Sequence, residues 1–197
     1  MTTPPLTRPS LLVRIRDAGD REAWRQFVEL YAPLVYKFAR RHGLQDADAA
    51  DLTQDVLQAV AGASKRLVYD SRRGTFRAWL YTVARNKLRN FLVVRQRRRE
   101  DGDRRLLDEQ PAREEVELWE KEYEERLFDW AIEQVRGRFH EATWRAFWMT
   151  AVENHGAAEA AAELRISIGA VYIAKSRVLA RLRNEIQRVQ SIEEVRR

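Results

Sequence analysis

Apolar residues recur every three or four positions along almost the whole chain, and no sustained alternation of β-branched residues appears. That period belongs to amphipathic helices rather than strands. It predicts a short helix over about 10–17, a break at Gly19, and a second helix to about His42 that Asp20 is suited to cap. Ala23, Phe27, Leu30, Leu34 and Phe38 are spaced to share its buried face, and Pro33 inside it should bend or split it. A third helix over about 47–63 offers Ala49, Leu52, Val56, Ala59, Val60 and Ala63 to a core. Thr75 is placed to cap a long fourth helix from Phe76 to about Arg99. Its expected buried stripe is Phe76, Trp79, Leu80, Val83, Ala84 and Phe91.

Residues 1–9, with Pro4, Pro5 and Pro9, read as a tail, and 64–74 as a loop. The segment EDGDRRLLDEQPAREE at 100–115 has little to bury and reads as a linker. Helices then follow over about 116–137, 141–153, 157–164 and 168–190, with breaks at Gly137 and Gly156. The expected fold is all-α: two small helical domains, 10–99 and 116–190, joined by the charged linker 100–115.

Three local patterns carry chemistry. In AAEAAAELRISIGAVYIAKSRVLARLR, Ala157 to Arg183, an alanine-rich helix meets a tight turn and a longer helix that Ser167 can cap. Ala158, Ala161 and Ala162 are small enough for the two helices to approach closely. This is the pattern of a helix-turn-helix. On the second helix Val171, Ala174, Val178, Leu182 and Ile186 share one face. Tyr172, Ile173, Ser176, Arg177, Ala180 and Arg183 lie opposite, a mixture suited to base edges, phosphates and thymine methyls. Ser167, Gly169 and Arg181 complete the candidate DNA-binding set there. An ordinary helical hairpin with a solvated face explains Ile173 poorly.

The second pattern is the helix from Phe76. Thr82, Arg85, Asn86 and Arg89 lie opposite its apolar stripe, and the loop before it holds Lys65, Arg66, Tyr69, Arg72 and Arg73. Guanidinium groups beside an aromatic suit single-stranded nucleic acid. Phe76 and Trp79 sit mid-stripe and are expected in the core. The third pattern, DADAADLTQDVLQAV, puts Asp48, Asp51, Asp55 and Gln58 along one side of a helix, with Leu57 and Ala61 off its core face. With no histidine nearby, this stripe suits a basic protein surface better than a metal.

Composition sharpens these readings. The 197 residues hold 36 Lys+Arg against 30 Asp+Glu, a net charge of +6 that is spread unevenly. Twelve bases face three acids from Arg72 to Arg105, eleven acids face five bases from Asp101 to Arg126, and seven bases face three acids from Lys175 to Arg197. Two basic blocks around an acidic stretch fit a polyanion met at two places, and charge alone fits three solvated helix faces equally well. The absence of cysteine excludes disulfides, thiolate zinc sites and a thiol switch within the chain. The three histidines lack metal-ligand spacing, and no phosphate-cradling glycine loop or nucleophile constellation appears, so neither enzymatic activity nor a cofactor is expected. No apolar run approaches the ~20 residues of a membrane span, and the N-terminus has no apolar signal core; a soluble, cytoplasmic protein is expected.

In order and spacing these segments resemble a bacterial RNA polymerase sigma factor of the extracytoplasmic-function (ECF) subfamily. LYAPLVYKFARR, DAADLTQDVLQAV and GTFRAWLYTVARNKLRNFL are similar to sigma region two, and WRAFWMTAVENHGAAEAAAELRISIGAVYIAKSRVLARLR is similar to region four. The resemblance implies that Asp48, Asp51, Gln54, Asp55 and Leu57 dock on the clamp helices of core RNA polymerase. It implies that the 65–74 loop and the helix after it read and melt the minus-ten element, and that the last helix reads the minus-thirty-five element. Region four would also touch the polymerase flap. An anti-sigma factor is a further partner the family suggests, competing for the clamp- and DNA-binding faces. Departures from the family pattern are Ala61, where an aromatic is common, and Tyr172 and Ala174, where a basic residue and an arginine are common. Promoter sequence therefore does not carry over. Lys175 falls near the inner face and is expected to snorkel. A stand-alone helix-turn-helix regulator, acting without polymerase, is the alternative.

Overall fold

The computed structural model describes residues 11–64, 75–98 and 111–190. Among them are eight helices and no strands: α1 (Leu11–Arg14), α2 (Arg21–Arg41), α3 (Asp46–Ser64), α4 (Phe76–Arg98), α5 (Arg113–Arg136), α6 (Glu141–Ala151), α7 (Ala157–Leu164) and α8 (Ile168–Gln190). The all-α expectation holds. The chain divides into two compact units, the first running to Arg126 and the second spanning Leu127–Val189. The division falls inside α5, some ten residues beyond the start of the second domain expected from sequence.

In the first unit, local chemistry sets the helix starts. Asp20 Oδ1 accepts the Ala23 N–H at 2.9 Å, capping α2. Both Asp20 oxygens also accept from Arg14, at 2.8 and 2.9 Å. The Arg14 hydrogen bonds, reinforced by the Ala23 N–H, hold the Asp20 carboxyl below the usual carboxylate range. Thr75 Oγ1 caps α4 through the Ala78 N–H at 3.1 Å. The α2 helix ends on Gly43 at φ +80°, and the Leu44 N–H bonds back to Ala39 O at 3.3 Å, a left-handed cap that glycine takes without strain.

All five apolar residues expected to face inward from α2 are buried, joined by Tyr31, Val35 and Ala39. The helix is not split at Pro33. Proline there removes the N–H that would bond the carbonyl of Glu29. That carbonyl instead accepts from Arg126 of α5 at 2.8 Å. On α4, Phe76, Leu80 and Ala84 are buried as expected, whereas Trp79, Val83 and Phe91 are only partly so. Tyr81 is buried because Trp119 of α5 packs against it, ring centroids 5.5 Å apart. The α4 stripe is thus shared between two neighbouring surfaces, which its own periodicity does not reveal.

In the second unit Trp130, Val135, Phe147, Val178 and Leu182 form the larger core. A smaller cluster of Ala146, Met149, Ala160, Ala161, Val171 and Ala174 closes α6, α7 and α8 together. This corrects the expected packing residues of α7: Ala161 is buried, but Ala158 and Ala162 are exposed and Ala160 takes the contact. With α7 starting at Ala157, positions 157, 160, 161 and 164 share one face. Leucine at Ala160 should therefore overpack the cluster, costing about 1–3 kcal/mol. Thermal melts should show Ala160→Leu several degrees lower and Ala158→Leu unchanged.

Candidate functional site

The turn between α7 and α8 is set by Arg165, in the left-handed region at φ 54°, and by the Ile166 N–H bonding to Ala161 O at 3.0 Å. Ser167 then caps α8: its Oγ accepts the Ala170 N–H at 3.1 Å. The resulting α7–turn–α8 unit is a helix-turn-helix. Of the expected inner face, Val171, Ala174, Val178 and Leu182 are buried and Ile186 is partly buried. The opposite face is exposed at Tyr172, Ile173, Ser176, Arg177, Ala180 and Arg183, with Tyr172 62% and Ile173 61% accessible. Two large apolar side chains that far out of a core leave the face incomplete as a solvated surface. Gly169 is exposed beside them.

Arg181 is placed differently. It is partly buried and pairs at 3.3 Å with Glu185, which is 4% exposed and also bonded to Arg138 at 3.0 Å and Arg188 at 3.3 Å. A buried carboxylate needs such partners, because removing a charge from water is costly unless it is paired. Arg181 is thereby tied to the inner side of α8. Lys175 does not snorkel to water: its Nζ donates to Thr150 O at 3.1 Å, satisfying a carbonyl in the last turn of α6.

On α3, Asp51, Gln54, Asp55 and Gln58 are exposed along one side. Asp48 is partly buried and held by Arg95 Nη1 of α4 at 3.0 Å, and Lys87 Nζ stands 3.8 Å from Asp55. The stripe is therefore graded: Asp48 is engaged within the unit, Asp55 loosely so, while Asp51 projects into solvent. Beside it lies an open groove of about 490 Å³ between α2 and α3. Leu57 lines it together with Val28, Ala32, Pro33, Tyr36 and Ala50. Leu57 was legible as an off-core residue. The α2 side was not, and its only signal in sequence is Val28 and Pro33 standing off the regular α2 core spacing.

On α4, Thr82, Asn86 and Arg89 are exposed on a common side. The Thr82 hydroxyl donates to Ala78 O at 2.9 Å. Arg85 is partly buried and lies near Tyr81. Lys65, Arg66, Tyr69, Arg72 and Arg73 lie outside the described residues. Among the described residues no cluster of His, Asp and Glu could hold a metal ion, and no helix is long and apolar enough to cross a membrane.

Residues 27–99 match the family model of Sigma-70 region 2. The first unit therefore contains a sigma-70 region two, and the chain is similar to RNA polymerase sigma factors. Two curated relatives are RNA polymerase sigma factors, one of them of the extracytoplasmic-function type. The chain is 29% identical over 188 residues to RNA polymerase sigma factor NccH of Alcaligenes xylosoxydans xylosoxydans, covering 94% of this chain and all of the relative. It is 31% identical over 107 residues to ECF RNA polymerase sigma factor RpoE of Cereibacter sphaeroides, covering 54% of this chain and 51% of the relative. Among solved structures it is similar to CnrH, in a complex with the cytosolic domain of CnrY, at 22% identity and a TM-score of 0.36. That match covers 88% of this chain and 92% of that one.

Proposed function

We propose that the chain is a sigma factor that binds core RNA polymerase through α3 and the α2–α3 groove, and directs it to promoters read by both units. Asp51, Gln54 and Asp55 offer carboxylate and amide groups to a basic partner surface, and Leu57 with Val28 offers the apolar centre a stable interface needs. The exposed α4 side, Thr82, Asn86 and Arg89, faces the minus-ten element, with the 65–74 loop contributing stacking and phosphate contacts. The outer face of α8 enters the major groove at the minus-thirty-five element. The domain from 116 onward acts as region four, touching the polymerase flap, and 100–115 spans the gap. The chain itself carries no catalytic role and works in the cytoplasm, where an anti-sigma factor competes for the same faces.

The observation that carries this reading is the α8 face, where Tyr172 and Ile173 stand exposed beside Ser176 and Arg177. Run-off transcription with core polymerase on promoter fragments from its own genome tests it. Transcripts that require the protein are expected; duplex binding without transcripts would instead indicate a stand-alone regulator. If Arg177 reads a base edge, Arg177→Ala should cost about 1–3 kcal/mol in promoter affinity and relax one base position. A loss uniform across sequences would make it a phosphate contact.

A further inference from the structure

The first half of α5 carries seven glutamates between positions 114 and 125. Four of them reach side chains of the neighbouring helices: Glu120, Glu122 and Glu125 face cations on α4 and α2, and Glu115 faces the His42 imidazole at the end of α2. Glu115 Oε1 is 3.2 Å from His42 Nε2, Glu120 Oε2 is 3.0 Å from Arg77 Nε, and Glu122 Oε2 accepts from Arg41 at 2.6 Å. Lys37 adds a second contact to Glu122 at 3.3 Å. Rings are interleaved with these charges. Trp119 packs edge-on to Phe38 at 5.7 Å, and the Arg77 guanidinium lies over Tyr123 at 4.8 Å.

Beneath this half-helix, therefore, the first unit presents Arg41, His42 and Arg77 around the rings of Phe38 and Tyr81. Cations set among aromatics are the chemistry that takes the phosphates and unstacked bases of a single strand. The covered surface also adjoins the open one. On α4 the row Arg77–Tyr81–Arg85 runs next to the row Ala78–Thr82–Asn86, whose exposed side is proposed above to face DNA. The buried indole N–H of Trp119 has no hydrogen-bond acceptor among the described residues. The ion pairs of this contact can yield to a competing polyanion, and its release also requires Trp119 and Tyr123, both fully buried, to leave their ring contacts.

We propose that the glutamates of α5 stand in for nucleic-acid phosphates on this face, so that residues 113–126 and single-stranded DNA occupy region two in exclusion. The inference rests on the reading of region two as DNA-binding. It adds a cationic, aromatic surface on α2 and α4 to that site, and a built-in competitor for it.

The test uses the full chain and a fluorescein-labelled oligo(dT) strand, read by anisotropy. The inner pair Glu115→Gln with Glu120→Gln is compared with the outer pair Glu114→Gln with Glu124→Gln, exposed acids on the same helix. Both remove the same charge. The inner pair is expected to bind about three- to tenfold more tightly than the outer pair at low salt, with a steeper loss as salt rises. Adding oligo(dT) to the unaltered chain should accelerate amide hydrogen exchange in 113–126. Equal affinity of the two pairs, or exchange there that is unchanged at saturation, overturns the competitor alone. No binding of oligo(dT) by any variant overturns both the competitor and the DNA reading of region two. A thermal melt of each variant verifies that the fold is retained.

Discussion

Reversing the charge of the α3 stripe, Asp51→Arg together with Asp55→Arg, is expected to reduce the affinity for core polymerase by about 100-fold or more and to abolish run-off transcription. Like charges brought together at an interface cost several kcal/mol, and each ~1.4 kcal/mol is a factor of ten. The fold should be almost unaffected. Both carboxylates are exposed, and Lys87 Nζ stands 3.8 Å from Asp55. Surface pairs of that kind contribute about 0–1 kcal/mol. Asp48 makes a poorer test, because its reversal would also break the 3.0 Å pair with Arg95. Co-elution with core polymerase on a sizing column measures the first effect, and a thermal melt the second. A variant that melts normally and still supports full transcription would remove α3 from the interface.

Two adjacent residues of α2 should separate folding from binding. Phe27 is fully buried, edge-on to Trp24 at 5.6 Å and to Phe76 at 5.9 Å, and in ring contact with Tyr31 at 4.6 Å. Phe27→Ala should destabilise the first unit by about 3–5 kcal/mol, since the lost transfer energy and the cavity left behind add. Val28, one position on, is 39% exposed and lines the α2–α3 groove. Val28→Asp should leave the melting transition nearly unchanged while weakening polymerase binding, because a carboxylate in an apolar contact is desolvated without a partner. Urea titration of each variant, paired with the same co-elution assay, distinguishes the two losses. Equal stability losses would show that the groove belongs to the core.

The outcome along α8 illustrates how much of the site was readable beforehand. A helix repeats every 3.6 residues, so a single apolar stripe determines the opposite face, and all of the outward residues expected from Tyr172 to Arg183 are exposed. Caps are similarly local: Asp20, Thr75 and Ser167 each accept a hydrogen bond from a residue three positions on. Arg181 shows where that logic stops. It borders the two faces, and the choice between DNA and Glu185 depends on a buried carboxylate that α8 shares with Arg138, outside the helix. On α4, likewise, Tyr81 is buried by Trp119, thirty-eight residues away in sequence.

By itself, then, the sequence determined the all-helical class, the buried faces of α2 and α8 and the capped helix starts, because hydrophobic period and capping act within one or two turns. Its motifs also pointed to the sigma factors, in keeping with the match of residues 27–99 to sigma-70 region 2. The tertiary structure decided what the charges do. The acidic stretch that reads as part linker and part helix supplies Glu120 and Glu122 to Arg77 of α4 and Arg41 of α2, and Glu115 to the His42 imidazole. Its Arg126 takes the carbonyl that Pro33 leaves unpaired. Coulomb pairs and orphaned carbonyls are satisfied by whichever group the packing brings near, and that proximity is a property of helices meeting, not of any one helix.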